Sequence, residues 1–181
     1  AFHNSYYFHK DDNVITNKEE VCGDFEKLIN LQLKEKHPKS WMRAFFNMGL
    51  INYIEGSRRM LPCQAGEMNF FVEPYGDIYP CNGLEKKYWK KSIGNIRETP
   101  NFKEIWEGKQ AEQVRQMVRR CPKNCWMVGT ASPVMHKYIK YPLKWALKNK
   151  LRSLQGKTAC LDKCWYNVGQ DPSQGDLRDV F

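Results

Sequence analysis

Four cysteines in two separated segments are the residues of this chain best suited to chemistry. Cys63 and Cys81 enclose the pattern C-x12-G-x4-C, in which Gly76 is the glycine. Much later, Cys121 and Cys125 form a C-x3-C segment. Thiolates are the ligands that zinc and iron–sulfur clusters prefer. The four cysteines therefore predict a tetrahedral, sulfur-rich metal centre.

The cysteine spacing alone does not distinguish the occupants of such a centre. The four thiolates could coordinate one structural zinc ion that stabilises a small hairpin-and-loop unit, or each thiolate could bind one iron of a [4Fe–4S] cluster. Two disulfides of a secreted domain are less favoured, because paired cysteines in a reducing compartment are more often metal ligands. Zinc and iron–sulfur both stay open at this point.

A hairpin is the element that must position the first cysteine pair. Residues 68–73 and 78–80 have strand character, and Pro74-Tyr75-Gly76-Asp77 between them has turn chemistry. The chain folds back at that turn, so we expect Cys63 and Cys81 to lie near each other. Ile93-Gly-Asn-Ile96 is expected to add a third strand.

Helices are predicted before and after this hairpin. Two of them precede it, and the second ends near Gly56. The helix before Cys121 is expected to begin at Thr99-Pro100, since proline favours the first helical position, and to break or bend at Gly108. A further helix is expected to open at Ser132-Pro133 and to kink or split at Pro142.

Taken together, these motifs resemble the C-terminal auxiliary-cluster region of radical SAM enzymes, the SPASM/twitch family. The resemblance covers about residues 60–130 and is carried by Cys63, Glu73-Pro-Tyr-Gly-Asp-Ile-Tyr-Pro-Cys81, Ile93-Gly-Asn-Ile96, Phe102-Lys-Glu-Ile-Trp106 and Cys121-x3-Cys125-Trp126. It implies that Cys63, Cys81, Cys121 and Cys125 bind an auxiliary [4Fe–4S] cluster. It also favours iron–sulfur over zinc.

Two departures from the family pattern limit what the resemblance implies. A full SPASM domain carries C-x2-C-x5-C-x3-C and two clusters, whereas this chain has only the C-x3-C of the one-cluster twitch form. The C-x3-C-x2-C motif that binds S-adenosylmethionine is absent, since Val128 and Asn167 stand where its third cysteine would follow Cys125 and Cys164. Cys160 and Cys164, a second C-x3-C pair, are additional candidate ligands.

The predicted fold class is α+β, with a small antiparallel hairpin sheet and flanking helices around the four-cysteine site. Residues 1–57 are expected to hold a strand and two helices that could end a radical SAM (β/α) barrel. Residues 58–130 would be the twitch/SPASM-like domain, 131–168 a basic helical region and 169–181 a loose tail. The chain would then be a non-catalytic portion of a radical SAM oxidoreductase or maturase, with electron transfer and substrate positioning as its tasks.

Charge suggests partners without identifying one. The 181 residues carry 29 Lys and Arg against 20 Asp and Glu, a net charge of +9, which favours anionic partners. The alternative function is thus a zinc-stabilised four-cysteine module that binds an anionic partner such as nucleic acid, although no nucleic-acid motif accompanies the charge. A basic amphipathic stretch over 135–152 suits a solvated helix face, an anionic membrane or an acidic substrate.

The resemblance implies the remaining partners. An upstream barrel domain would supply the S-adenosylmethionine site, and the substrate could be a peptide, a sugar or a small metabolite. The chain has no apolar stretch of membrane-spanning length and no secretory signal at Ala1–Lys10. We therefore expect a cytoplasmic location.

Overall fold

The computed structural model describes residues 15–81, 92–121 and 123–161. These residues form six helices and three short strands, which confirms the α+β class. The helices are α1 (Lys18–Lys34), α2 (Pro38–Ile54), α3 (Phe102–Glu107), α4 (Lys109–Arg119), α5 (Val128–Lys137) and α6 (Lys140–Leu154); the strands are β1 (Phe71–Val72), β2 (Asp77–Tyr79) and β3 (Gly94–Asn95). The strand predicted at 1–10 and the tail from 169 lie outside the described residues.

The described residues divide into two compact units, each with its own hydrophobic core. The sheet unit comprises residues 63–81 and 92–121, and the helical unit comprises 15–62 and 123–161. Cys63, Cys81 and Cys121 therefore belong to the sheet unit, whereas Cys125 belongs to the helical unit.

The sheet unit is built on the predicted hairpin. β1 and β2 pair antiparallel with Val72 opposite Ile78, and β3 pairs antiparallel with β2 so that Gly94 is also opposite Ile78. Gly76 in the turn has a φ of 94°, a left-handed conformation that L side chains disfavour. An added Cβ there would also lie 2.8 Å from Asn95 Oδ1. The turn itself therefore requires the glycine of the C-x12-G-x4-C pattern.

Helices α3 and α4 complete the core of the sheet unit. That core is formed by Ala65, Ile78, Ile93, Ile105, Ala111, Val114 and Val118. A Cβ on Gly94 would lie 2.6 Å from Ile105 Cγ2, so α3 packs directly on the backbone of β3. α4 ends at Arg119, which places Cys121 two residues beyond the helix.

The helical unit is a bundle in which α1, α2 and α6 pack on one another. Phe45 of α2 and Trp145 of α6 meet edge to face, with ring centroids 5.6 Å apart. Lys150 of α6 donates from Nζ to the carbonyls of residues 33, 34 and 35, at 2.8, 3.2 and 2.9 Å. These carbonyls lie at the end of α1, where no later turn of helix can satisfy them, so Lys150 caps α1.

Two predicted helix starts are wrong. α3 begins at Phe102 rather than at Thr99-Pro100, because Asn101 supplies the cap: its Oδ1 accepts the Lys103 N–H and its Nδ2 donates to Glu104 Oε1 at 2.7 Å. α5 begins at Val128, and Pro133 lies inside it. The break at Gly108 is confirmed. The helix predicted to kink or split at Pro142 is split three residues earlier, between Lys137 and Lys140, and Pro142 lies in the first turn of α6.

Candidate metal centre

Cys63 and Cys81 lie on the two flanks of the hairpin. Both are half-buried and pack against the core of the sheet unit. The loop after Cys63 approaches the residue before Cys81, since a Cβ on Gly66 would lie 3.2 Å from Pro80 Cβ. Asn69 Nδ2 also donates to the Pro80 carbonyl at 3.4 Å. The fold-back predicted from the turn therefore brings the two flanks together.

Cys121 lies at the end of α4, in the same unit. Its N–H donates to the Val118 carbonyl at 3.1 Å, and Val118 is part of the core against which Cys63 and Cys81 pack. The last turn of α4 thus holds the Cys121 backbone beside that core. Three of the four predicted ligands, Cys63, Cys81 and Cys121, therefore belong to the sheet unit.

Arg115 of α4 ties the helix to the loop that follows Cys63. Its Nε donates to the Gly66 carbonyl at 2.8 Å, and its Nη2 donates to the Trp106 carbonyl at 2.6 Å. The guanidinium also lies over the Trp106 ring, 4.8 Å from its centroid. A charged donor to two backbone carbonyls is stronger than a neutral one. Arg115 therefore fixes the spacing between α4 and the Cys63 loop, a role that the sequence did not indicate.

Cys125 lies in a segment without regular secondary structure, and a residue on each side of it bonds to α2. Before it, Asn124 Nδ2 donates to the carbonyls of Tyr53 and Ser57, at 3.3 and 3.0 Å. After it, Trp126 Nε1 donates to the Phe46 carbonyl at 2.8 Å. The Cys125 backbone is therefore fixed between two side-chain anchors, both of which bond to carbonyls of α2 or of the residues that follow it.

The Trp126 indole lies directly on the backbone of α2 at Gly49. A Cβ at Gly49 would be only 2.1 Å from Trp126 Cε2 and Nε1, far inside van der Waals contact. Trp126 is 3% exposed and stacks on Phe46, with centroids 6.2 Å apart. Glycine costs helix stability, and at Gly49 the lack of a side chain is what allows this close approach.

The phenol of Tyr53 lies near the predicted ligand Cys125. Burial raises the pKa of Tyr53 above its usual range, and the negative charge of the Cys125 thiolate raises this pKa further. Both effects keep the phenol protonated at neutral pH. Tyr53 thus presents a neutral hydroxyl group to the surroundings of Cys125.

Arg59 is half-buried, and part of its guanidinium has no hydrogen-bond partner among the described residues. Its Nε and Nη2 atoms are buried and have no hydrogen-bond partner. An unpaired buried charge is costly, so such a group is normally completed by an anion. Arg59 lies four positions before Cys63 and two after Ser57, whose carbonyl accepts the Asn124 bond. A thiolate-ligated centre of net negative charge is an anion that suits this position.

The second C-x3-C pair is only partly within the described residues, since Cys164 lies outside them. Cys160 belongs to the helical unit, where its N–H donates to Asn149 Oδ1 at 2.6 Å and its carbonyl accepts from Trp145 Nε1 at 3.2 Å. The backbone of Cys160 is therefore fixed on α6. A ligand role for Cys160 and Cys164 stays a prediction.

The six cysteines that the structure describes form no disulfide with one another. Within the described ranges, no group of three or more His, Cys, Asp and Glu side chains is close enough to hold a metal ion. The ligand set of Cys63, Cys81, Cys121 and Cys125 therefore stays a prediction. The donor chemistry fits an iron–sulfur cluster, since all four side chains are half-buried thiols.

Comparison with known families identifies the region that holds these cysteines. Residues 63–127 match the family model of SPASM, an iron–sulfur cluster-binding domain. This match confirms the resemblance predicted from the motifs. Iron–sulfur cluster binding is therefore the activity assigned to this region. Searches for similar curated proteins and for similar solved structures gave no match.

Proposed function

We propose that this chain is the auxiliary-cluster portion of a radical SAM enzyme. Cys63, Cys81, Cys121 and Cys125 bind one [4Fe–4S] cluster, which serves electron transfer and helps to position the substrate. S-adenosylmethionine binds to an upstream barrel domain, because this sequence does not carry the three-cysteine motif for it.

The family match carries this proposal. It begins at Cys63 and ends two residues after Cys125, so that all four predicted ligands fall inside an iron–sulfur domain. The order of hairpin, third strand, helix and C-x3-C segment within these residues is the order expected of the domain. Zinc ligation, which the spacing left open, has no comparable support.

The chain's own residues account for the requirements of such a site. Four thiolates satisfy the four irons of a cubane cluster, so that no iron is open to a substrate. A bound cluster of this kind supplies one-electron transfer without bond formation at iron. Asn124 and Trp126 hold the Cys125 backbone through hydrogen bonds to carbonyls of α2 and of the residues that follow it.

Charge and hydrogen bonding around the site favour an anionic cluster. The half-buried Arg59 has two buried nitrogens, Nε and Nη2, without a hydrogen-bond partner among the described residues, and Arg115 fixes the loop after Cys63. Cations and N–H donors near a cluster raise its reduction potential, because they stabilise the more negative, reduced form. We assign Arg59 this role of counter-cation.

The partners follow from the same proposal. The upstream barrel generates the radical, and the substrate is a peptide, a sugar or a small metabolite that lies between the barrel and this portion. A cytoplasmic location suits the site, since a reducing compartment keeps cysteines available as metal ligands.

Anaerobic reconstitution with iron and sulfide tests the metal assignment. The chain should turn brown, absorb broadly near ~400 nm and retain about four irons and four sulfides. Serine substitution of each of the four cysteines in turn should lower the iron content, whereas Cys22→Ser should not, since Cys22 packs against the helical core. A colourless chain that retains one zinc would contradict the proposal.

A second experiment separates electron transfer from a purely structural role. Cys81→Ser is introduced into the enzyme that contains both the barrel and this portion. If the variant keeps the circular dichroism of the parent but loses turnover, the cluster takes part in the reaction. Turnover at the parent rate with the auxiliary cluster absent would show that the cluster is dispensable.

A further inference from the structure

Helix α6 exposes its leucines to solvent. Ile139, Leu143, Leu147, Leu151 and Leu154, here called the leucine stripe, are 44%, 44%, 46%, 62% and 71% exposed. Residues at i, i+4 and i+8 share one side of a helix, so the stripe runs along the full length of α6, about 22 Å. A continuous apolar row of this length on a helix surface marks an interaction site.

The opposite side of α6 holds it in the bundle. Pro142, Trp145, Ala146 and Asn149 are buried there. Lys150 also caps α1 through three carbonyls and lies over the Trp41 ring, 5.2 Å from its centroid. The packing of α6 in the bundle therefore leaves the leucine stripe on the exposed side of the helix, where a partner can reach it.

A row of lysines runs beside the leucine stripe. Lys140, Lys144 and Lys148 are exposed and repeat every four residues, in step with Leu143, Leu147 and Leu151. From Val128 to Leu161 the chain has no Asp or Glu, whereas its basic residues are Lys137, Lys140, Lys144, Lys148, Lys150, Arg152 and Lys157. The exposed side of α6 therefore combines apolar side chains with positive charges only.

The composition decides between a lipid surface and a protein partner. Protein interfaces are enriched in aromatic residues, Met and Arg and depleted in Lys, and leucine is under-represented among their energetic hot spots. Leucine beside lysine is instead the pattern of helices that lie in a membrane interface, where the apolar row enters the acyl boundary and the ammonium groups reach anionic headgroups. Nucleic acid would use the lysines but leave the leucines in water.

We propose that the leucine stripe and its lysine row bind the surface of an anionic lipid bilayer, with α6 parallel to the membrane plane. No helix of the described residues is both long and apolar enough to cross a membrane. This proposal does not rest on the cluster assignment, since it uses only residues of α6 and Ile139. Cluster binding can fail while lipid binding holds, and the reverse is also true.

Vesicle co-sedimentation of the full chain tests the proposal. Vesicles of phosphatidylcholine alone are compared with vesicles in which about one third of the lipid is phosphatidylserine. Each lysine near an anionic surface contributes roughly a fivefold factor in partitioning, so three lysines should favour the anionic vesicles about a hundredfold. This preference should shrink as salt is added.

Two double variants separate the apolar from the charged contribution. Leu143→Ser with Leu147→Ser should reduce binding to anionic vesicles at least tenfold, and Lys144→Gln with Lys148→Gln should remove most of the preference for phosphatidylserine. The matched controls lie in the sheet unit: Met68→Ser with Ile96→Ser, which are 43% and 41% exposed, and Lys103→Gln with Lys109→Gln. Neither control should change binding by more than about twofold. Circular dichroism verifies that each variant is folded.

Two results would overturn the proposal. In the first, the parent chain stays in the supernatant with anionic vesicles, or the leucine variant binds as well as the parent. In the second, analytical ultracentrifugation shows a dimer that the leucine variant dissociates, without vesicle binding, which would make the stripe an interface between two copies of the chain.

Discussion

Substitution of Gly49 by alanine should destabilise the helical unit, although the same change inside most helices is stabilising. Alanine is favoured over glycine by about 0.8–1.0 kcal/mol in a helix interior. At Gly49, however, the new methyl group would lie 2.1 Å from two atoms of the Trp126 indole. Carbon atoms in contact need about 3.5–4.0 Å, so either α2 or Trp126 must move.

The expected magnitude follows from what Trp126 loses when it moves. The indole is 3% exposed and donates to the Phe46 carbonyl at 2.8 Å. Overpacking costs about 1–3 kcal/mol, and complete loss of a buried tryptophan costs about 3–5 kcal/mol. After the gain in helix propensity is subtracted, Gly49→Ala should lower the free energy of unfolding by about 2 kcal/mol.

Gly23→Ala is the matched control for this variant. Gly23 lies inside α1, and a Cβ there would meet nothing within 4 Å. That substitution should therefore raise the free energy of unfolding by up to about 1 kcal/mol. Urea unfolding followed by circular dichroism at the helix minimum measures both values on the same chain.

A double variant tests whether Trp126 causes the loss. Trp126→Ala alone should cost about 3–5 kcal/mol. Combined with Gly49→Ala, the two effects should fall short of their sum by about 1–3 kcal/mol, because the small side chain removes the clash. If Gly49→Ala is as stable as the parent chain, or if the two effects simply add, the packing of Trp126 on α2 is wrong.

Substitutions at Arg115, Arg59 and Asn149 test three further sets of contacts. In urea unfolding, Arg115→Met should lower the free energy of unfolding by about 2–3 kcal/mol. Arg115→Lys should lower it by less, since lysine can still donate to one of the two carbonyls. The control Arg119→Gln removes an exposed ion pair and should lower it by under about 1 kcal/mol. Arg59→Gln should leave iron content unchanged but lower the cluster's reduction potential by on the order of 60 mV in a redox titration, and an unchanged potential would remove Arg59 as counter-cation. Asn149→Leu removes the buried acceptor of the Cys160 N–H. The melting temperature should fall by roughly 5–10 °C, and a fall of less than about 2 °C would contradict a stabilising role for this hydrogen bond.

The elements with strong local signals could be predicted from the sequence. The turn at 74–77 requires a residue in the left-handed conformation and is flanked by two short strands, so the hairpin and the place of Gly76 in it follow from the residues of the turn and its flanks. The break at Gly108 is local in the same sense. Cap positions were less accurate, because Thr99 and Asn101 are both good cap residues, and the structure caps α3 with Asn101.

The contacts that fix the site depend on pairs of residues far apart in the chain. Nothing near Gly49 in the sequence indicates that Trp126, 77 positions later, covers it. The same holds for Arg115 and Gly66, which are 49 positions apart. Spacing of leucines at every fourth residue ordinarily predicts a buried stripe, yet α6 buries Trp145, which packs on Phe45, and Asn149, which bonds to the Cys160 backbone.

Mössbauer spectroscopy of the anaerobically reconstituted chain tests the central claim most directly, because it reports the coordination of every iron. Four protein thiolates leave no open iron, so the spectrum should show only tetrahedral, sulfur-ligated iron and should not change when S-adenosylmethionine is added. A spectrum in which one iron is distinct and responds to the added molecule would contradict full ligation by Cys63, Cys81, Cys121 and Cys125.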